Sequence, residues 1–573
     1  MVNLKQLCKE ILKQLDNSNI DSQEKLNKLK LKVIRRLKGS KIPSNIEILN
    51  HTNKQQRKKY KHLLTIKPTR IMSGVNVVAI MTKPMKCPHG KCLMCPGGPK
   101  SHFGEVPQSY TGKEPATLRA IRNKYDPYLQ VFNRLEQYCA MNKLPEKIEL
   151  IIMGGTFPSY PKKYQDEFIM YSFKAMNDFS KLFFKNNKLQ VKKFLKFFEL
   201  PGKIGDPERT KNIQKKILKL KKKAKNVSVE REQKKNEKSK IKVIGLTIET
   251  RPDYATLKHA KQMLRLGATR VELGVQTIYN KVLKKIKRGH TIEDSIKATQ
   301  ILKDLGFKIN YHMMLGLPSV NAKQDLKSLQ TLFDKQEFRP DMLKLYPCMV
   351  MKGTKLYDLW TSKKFKPITT KKAIKIITKF KKNIPKFVRI MRVQRDIPTY
   401  TIEAGVDKTN LRQMVHQQTK IECNCIRCRE PGRRKLDHNN VKFYIYEYKA
   451  SFGKEYFISA EDKVNDCIVG FIRMRFPSKV LPITTKSKSS QTNIITKHSA
   501  IIRELHVYGE TAVIGKKGKT QHRGYGKNLL KIAEQIAKHH NKNKMIIISG
   551  IGVRNYYKKL KYRLEQPYMV KKI

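Results

Sequence analysis

Three cysteines, Cys87, Cys92 and Cys95, fall within nine positions of the chain, in Cys87-Pro88-His89-Gly90-Lys91-Cys92-Leu93-Met94-Cys95-Pro96-Gly97-Gly98. Its prolines and glycines exclude a regular helix or a central strand, so the thiols share a loop. A loop presenting three thiolates is a metal cradle, and three protein ligands leave one coordination position open. Two centres suit it. One is a [4Fe–4S] cluster whose fourth iron has no protein ligand, which S-adenosylmethionine could chelate through its amino and carboxylate groups. An electron from such a cluster cleaves the sulfonium to an adenosyl radical. The other is a zinc loop with a distant fourth ligand, His89 or His102.

The spacing is four residues and then two, one residue wider at the first gap than the common radical-SAM pattern. Residues further along favour the cluster. Gly154-Gly155 closes an apolar run and would let backbone approach the cofactor's amino group. Glu249 and Arg251 offer a carboxylate and a guanidinium that suit a zwitterionic cofactor, although any such couple can be a structural ion pair.

A second chemistry is written near the C-terminus. Gln521-His522-Arg523-Gly524-Tyr525-Gly526 stands at the entry to a helix expected at 527–539. Glycines at a helix N-terminus expose N–H groups, and the helix dipole favours an anion there. The Gln/Arg-x-x-Gly-x-Gly/Ala pattern is the way GNAT-type acetyltransferases hold the pyrophosphate of coenzyme A, with a generic phosphate loop as the alternative. A β-run through Glu504, Leu505, His506 and Val507 precedes it. Another ending at Ser549-Gly550 follows, and then Arg554-Asn555-Tyr556-Tyr557, which is the GNAT order. A third cluster, Cys423, Cys425 and Cys428, is tight enough that its thiolates would repel one another unless bound to a metal. Zinc is the expected ion, with His416 the nearest candidate for a fourth ligand.

Elements must position these groups. Runs at 148–153, 243–249, 270–276, 308–314, 342–346 and 388–395 alternate with helical patterns, which predicts an α/β fold: a parallel sheet, barrel or open, with helices outside. Sites in such folds lie at the carboxyl ends of strands. Gly154, Gly155, Glu249, Gln276 and His312 fall near such ends. Residues 1–65 read as basic amphipathic helices, with Leu4, Leu7, Ile11, Leu12 and Leu15 on one face and Leu26, Leu29, Val33, Ile34 and Leu37 on another. The lysine-rich stretch at 185–240 has no sustained pattern and predicts an exposed insertion, partly helical or disordered. Residues 401–440 read as a metal-binding linker and 441–573 as an α+β domain with a Ser/Thr/Lys-rich loop at 477–498.

The chain has 573 residues, with 122 Lys+Arg against 46 Asp+Glu and a net charge of +76. That excess attracts polyanions, so RNA or DNA is the expected partner. No run reaches a membrane span and no signal sequence is evident. An intracellular, cytoplasmic and reducing setting is expected, in which clustered cysteines bind metal.

These motifs in this order resemble the catalytic subunit of the Elongator complex, a radical-SAM/GNAT tRNA acetyltransferase, in its short-spacing archaeal and bacterial form. The resemblance runs from about residue 70 to the C-terminus, apart from the two loops. Among the segments that carry it are Cys-Pro-His-Gly-Lys-Cys-Leu-Met-Cys-Pro-Gly-Gly-Pro (87–99), Gln-Ser-Tyr-Thr-Gly (108–112), Met-Gly-Gly-Thr-Phe (153–157) and Leu-Thr-Ile-Glu-Thr-Arg-Pro-Asp-Tyr (246–254). Leu-Lys-Leu-Tyr-Pro (343–347), Arg-Glu-Leu-His-Val-Tyr-Gly (503–509) and Arg-Asn-Tyr-Tyr (554–557) continue it.

The resemblance implies a partial TIM-type barrel joined to a GNAT domain, with Cys87, Cys92 and Cys95 on the cluster. It implies acetyl-CoA contacts from Glu504–Val507, Tyr525–Lys527 and Tyr557, and a lysine, Lys147, that reaches acetyl-CoA from the radical domain. Lys147, Tyr556 and Tyr557 are the candidates for catalysis. The implied reaction places a carboxymethyl group on C5 of the wobble uridine of tRNA. An electron donor is required, and stand-alone action is favoured over a full assembly of Elongator-like subunits. The alternatives are a protein lysine (histone-type) acetyltransferase with a structural radical-SAM domain, and an RNA-binding scaffold.

Overall fold

Residues 76–392 build one parallel sheet. The computed structural model describes residues 2–64, 74–202, 206–223, 227–417, 423–484, 493–508 and 524–573. The strands are β1 (Asn76–Met81), β2 (Lys147–Met153), β3 (Lys242–Thr250), β4 (Arg270–Gln276), β5 (Lys308–Leu315), β6 (Met342–Pro347) and β7 (Arg389–Arg392). They neighbour one another in chain order, and every pair is parallel. Parallel neighbours need a crossover, which helices such as Ile292–Asp304 provide. The sheet does not close on itself, so the expected partial barrel is observed. β4 is buried along its length apart from Gln276, because both faces are covered.

β1 is absent from the expected strands. Its apolar run is short and is followed at once by the proline-containing cysteine loop. β7 is shorter than expected, since the chain bends at Val393-Gln394 and reaches Pro398 soon after.

Helices α1 (Leu4–Asp16) and α2 (Gln23–Arg36) are capped by Asn3 and Ser22. Their apolar faces form a small core of their own with Ile48, Leu49, Tyr60 and Leu63. Leu4, expected on the apolar face, is exposed.

The stretch at 185–240 is partly helical, as expected, but part of it is buried rather than exposed. It folds as helices Val191–Phe197, Pro207–Lys222 and Val229–Asn236, joined to the main core. A cluster of aromatic rings carries that burial, with Phe183, Phe194 and Phe198 packed 4.9–5.7 Å apart between centroids. Ile213 and Ile217 add to it, while Lys211, Lys215, Lys219 and Lys222 are exposed.

The C-terminal sheet holds β8 (Val441–Ala450), β9 (Gly453–Asp462), β10 (Cys467–Phe476), β11 (Ser499–Val507), β12 (Lys544–Ile547), β13 (Arg563–Glu565) and β14 (Tyr568–Lys572), in the order β8-β9-β10-β11-β12-β14-β13. β10 is buried throughout. Ile458, Ile472 and Met474 pack on Leu529 and Ala533 of helix α3 (Tyr525–His539). Phe457, Phe471, Ile501 and Ile546 belong to the core shared with the parallel sheet.

Buried ion pairs cross the same seam. Arg503 bonds Asp341 at 2.5 Å and Glu455 at 2.9 Å, and Arg475 bonds Asp304 at 2.6 Å and Glu455 at 3.0 Å. Each charge is compensated, the condition under which buried ions are tolerated. The turn after β12 comes closer still to the amino end of β3. A Cβ on Gly550 would stand 2.0 Å from the carbonyl oxygen of Ile244, so only glycine fits this approach.

Candidate active site

The cysteine loop leaves the carboxyl end of β1 and passes over the carboxyl ends of the other strands. Cys87, Cys92, Cys95, Gly155, Glu249 and Gln276 line one cavity there, together with Arg251. Each thiol has a fixed neighbour. The Ser109 N–H donates to the Cys95 sulfur at 3.1 Å, His89 Nε2 lies 3.1 Å from Cys92, and the Thr156 hydroxyl lies 3.7 Å from Cys87. Arg288 reaches Cys92 at 3.8 Å. Burial raises the Cys87 thiol, and burial with the neighbouring Cys92 pushes Cys95 to about 11. Burial thus keeps the free Cys87 and Cys95 thiols protonated, and a bound cationic centre would make them thiolates.

Gly154 and Gly155 stand at φ +114° and +84°, which side chains rarely adopt. A Cβ on Gly154 would strike the Thr82 hydroxyl at 2.4 Å, and one on Gly155 would sit 3.9 Å from the Cys87 sulfur. The Gly154 carbonyl accepts from Thr82 and Tyr160, each at 2.9 Å. Gln276 holds φ +70° at the end of β4, a conformation typical of functional sites in a non-glycine residue.

Glu249 and Arg251 do not pair with each other. Arg251 makes a two-pronged ion pair with Asp253, at 2.9 and 2.6 Å, and donates to the Gly289 carbonyl at 3.0 Å. Its remaining Nη1 is buried without a partner. Glu249 accepts from the Tyr110 hydroxyl at 3.1 Å and lies 3.4 Å from Lys344.

Below this rim the barrel lumen is charged. Glu272 of β4 contacts Lys344 of β6 and lies 2.7 Å from His312 Nε2 of β5 and 3.3 Å from Arg270. Arg270 also meets Glu149 of β2 at 2.6 Å. Burial alone would raise the Glu272 carboxyl, but Lys344, His312 and Arg270 hold it well below the usual carboxylate range.

The sulfurs of Cys423, Cys425 and Cys428 lie within 4.8 Å of one another. Lys381 lies 3.5 Å from the Cys428 sulfur, and the Ile426 N–H ties the segment to Val388 at 3.0 Å. His416 borders the same hollow, but its ring nitrogens are not in the 4.8 Å set. Burial and the Lys381 and Arg412 cations push His416 down to about 4, which keeps its ring neutral.

The acetyl-CoA candidates lie elsewhere. Glu504, Leu505, His506 and Val507 end β11, which pairs with β12 only over Ser499–Ile502, so the two strands part beyond Ile502. Helix α3 begins beside that gap, with Gly524 as its N-cap at φ +90° and Tyr525, Gly526 and Lys527 in its first turn. The Tyr556 hydroxyl faces Gly526, 3.4 Å from where a Cβ would be, and Tyr557 is buried. Gln521 lies outside the described residues. Lys147 begins β2, at the opposite end of the barrel from Gly154, and burial lowers its ammonium.

The Radical SAM superfamily model matches residues 204–332, the Radical_SAM C-terminal domain model 340–420, and the ELP3 N-terminal domain model 4–72. A Methanocaldococcus jannaschii protein named tRNA uridine(34) acetyltransferase is 42% identical over 99% of this chain and 97% of its own length. The human Elongator complex protein 3 is 36% identical over 98% of this chain and 96% of its own length. The chain belongs to the Elongator complex protein 3 family. Within that family, the structure of Methanocaldococcus infernus Elp3 lacking residues 1–46 matches with a TM-score of 0.69 and 38% identity, over 88% of this chain and all of that one.

Several residues in and around this family member's cavity escape a reading of the sequence. Glu272, Lys344 and Arg270 sit inside buried strands, where a charged residue reads as an outward-facing position. Tyr110, Arg288 and Thr82 come from loops with no periodic signal. The sequence hints are Leu-Lys-Leu-Tyr-Pro at 343–347, a lysine within an apolar strand, and Gln-Ser-Tyr-Thr-Gly at 108–112, which holds Tyr110.

Proposed function

We propose that this chain modifies the wobble uridine of tRNA, forming 5-carboxymethyluridine from acetyl-CoA by S-adenosylmethionine radical chemistry. The observation that carries this reading is the cavity at the carboxyl ends of the parallel strands, where three cysteines meet Gly155, Glu249 and Gln276 in a chain of this family. The residues fit the cluster. The three sulfurs are not gathered within 4.8 Å, as ligands of one ion would be, and Arg288 and Arg251 stand beside them to balance an anionic centre. When bound, the [4Fe–4S] cluster and S-adenosylmethionine would supply an adenosyl radical able to take hydrogen from the acetyl methyl group.

The chain's own residues then have defined tasks. Cys87, Cys92 and Cys95 hold the cluster. The Gly154-Gly155 turn leaves room beside Cys87 for the cofactor. The open ends of β11 and α3 hold acetyl-CoA, the backbone taking the pantetheine arm and the helix N-terminus the pyrophosphate. Tyr556 and Tyr557 flank that channel, and Lys147 stands on the barrel side of it. Cys423, Cys425 and Cys428 bind a thiophilic ion, zinc by their tight spacing, that staples β7 to the C-terminal domain. The helices at 1–65 and the lysines of 207–222 meet the phosphate backbone, and a loop base can be splayed into the cavity. The boundaries at 65, 400 and 440 separate these roles. Among the described residues, no helix is long and apolar enough to cross a membrane.

A protein acetyltransferase would need a general base beside acetyl-CoA. Glu504 is held to about 2 against burial by Lys308 and Arg473, which makes it a weak base, and nothing in the structure favours that reading.

The experiment is anaerobic reconstitution followed by S-adenosylmethionine, a reductant, acetyl-CoA and a tRNA with uridine at the wobble position. Carboxymethyluridine in the digested tRNA, seen by mass spectrometry, is the expected result. Its absence with an intact cluster refutes the reading.

A further inference from the structure

Midway down the barrel lies a charged group of which the cofactor site takes only Glu249. Glu249, Glu272 and His312 bring ligand atoms within 4.8 Å of one another, a geometry that would suit a cation. The Lys344 ammonium already supplies that cation, since it contacts Glu272 and lies 3.4 Å from Glu249. What remains is a dyad. His312 Nε2 stands 2.7 Å from Glu272, whose side chain is 1% exposed while that of His312 is 15% exposed. The carboxylate is therefore locked from behind by Lys344 and Arg270, and the imidazole opens on the cavity lined by the cluster cysteines. Tyr346 packs edge-on at 5.6 Å and fixes the ring plane. Burial and Lys344 lower His312, so the ring is neutral near pH 7, donating Nε2–H to Glu272 and offering the Nδ1 lone pair.

Position gives the dyad its task. His312 is the fifth residue of β5, a strand whose first residue, Lys308, pairs with Glu504 of the acetyl-CoA strand at 3.7 Å. The far end of that strand borders the cysteine cavity. Lys147 and Gly154, at the two ends of β2, are roughly 23 Å apart. A thioester that joins coenzyme A to the modified base must occupy the space between.

We propose that His312 is the general base that hydrolyses this thioester, with Glu272 as its positioning partner. The proposal rests on the function proposed above. The Nδ1 lone pair takes a proton from water, and the water oxygen bonds to the thioester carbonyl carbon. The carbon–sulfur bond breaks with its electron pair on sulfur, and the imidazolium returns the proton to that thiolate. The products are the carboxylic acid on the uridine and free coenzyme A, and the acid then loses its proton to solvent.

The test uses the reconstituted full chain with tRNA, and follows 5′-deoxyadenosine, free thiol and the digested nucleosides in a single turnover. His312→Gln is expected to form 5′-deoxyadenosine while thiol release slows about 100-fold or more. A uridine carrying the intact coenzyme A thioester should accumulate. Imidazole should restore release in His312→Ala, and adding Glu272→Gln to that variant should cost nothing further. Release at the wild-type rate in His312→Gln, or loss of 5′-deoxyadenosine with no adduct, overturns the proposal. A wild-type chain that forms no carboxymethyluridine overturns the underlying reading instead.

Discussion

Cys423, Cys425 and Cys428 form one three-thiol group and Cys87, Cys92 and Cys95 another, and their surroundings differ. The first gathers its sulfurs within 4.8 Å, whereas the second forms no such set. A tetrahedral ion with metal–sulfur bonds of about 2.3 Å spaces its thiolates about 3.8 Å apart. Thiolates on separate irons of a cluster are spread wider. The tight group is tied into the backbone through Ile426 and Val388, with Lys381 and Arg412 beside it, which is the setting for the structural ion proposed above. The wide group opens on a cavity with Gly155, Glu249 and Gln276, where a small molecule can reach it. The spread of the sulfurs and what they face, more than their number, are the grounds on which a structural ion is proposed at one group and a reactive centre at the other.

The largest effect should come from Cys92→Ala. Carboxymethyluridine and 5′-deoxyadenosine formation should vanish and iron should fall, while zinc stays, as elemental analysis and nucleoside mass spectrometry would show. Loss of both metals together would mean the two groups are not independent.

The cysteine staple also has a rival in joining the domains, the buried ion network. Arg503→Met takes the nearest cation from Asp341 and Glu455, leaving Lys303, Arg473 and Arg475 to face them, and should destabilise the fold by about 3 kcal/mol, measured by denaturant unfolding. A change under about 1 kcal/mol would leave the staple as the main link. Acid tests the same network. Glu504 is held to about 2 in the folded state, below the ordinary value near 4.3. The folded state thus favours its charged form, so its contribution is complete above about pH 5 and is lost as pH falls towards 2. The melting temperature should decline across that window, and a flat profile would contradict the assignment.

A smaller effect is expected of Gly155→Ala. Its φ of +84° costs a side chain about 1–2 kcal/mol, and the new Cβ would lie 3.9 Å from the Cys87 sulfur. Iron retention should drop modestly with zinc unchanged.

The sequence made some of this legible and hid the rest for physical reasons. Proline and glycine around Cys87–Cys95 announce a loop, and Gly154-Gly155 after an apolar run announces a strand end. Both signals are local, and both fall where expected. Glu249 and Arg251, two residues apart, read as a pair, yet each finds a nearer partner in three dimensions, Lys344 and Asp253. Apart from the Arg270–Glu272 contact, the lumen charges Arg270, Glu272 and Lys344, and the seam arginines Arg473, Arg475 and Arg503, are compensated by residues tens to hundreds of positions away. No periodicity encodes such partners. The stretch at 185–240 looked unpatterned because phenylalanines, spaced for ring packing, carry its burial.

Metal and sulfide analysis of the anaerobically reconstituted chain, beside Cys92→Ala and Cys425→Ser, tests the central contrast most directly. The account predicts about four irons with matching sulfide and one zinc in the wild type. Cys92→Ala should lose iron alone and Cys425→Ser zinc alone. Zinc bound at Cys87–Cys95, or iron lost from Cys425→Ser, would contradict it.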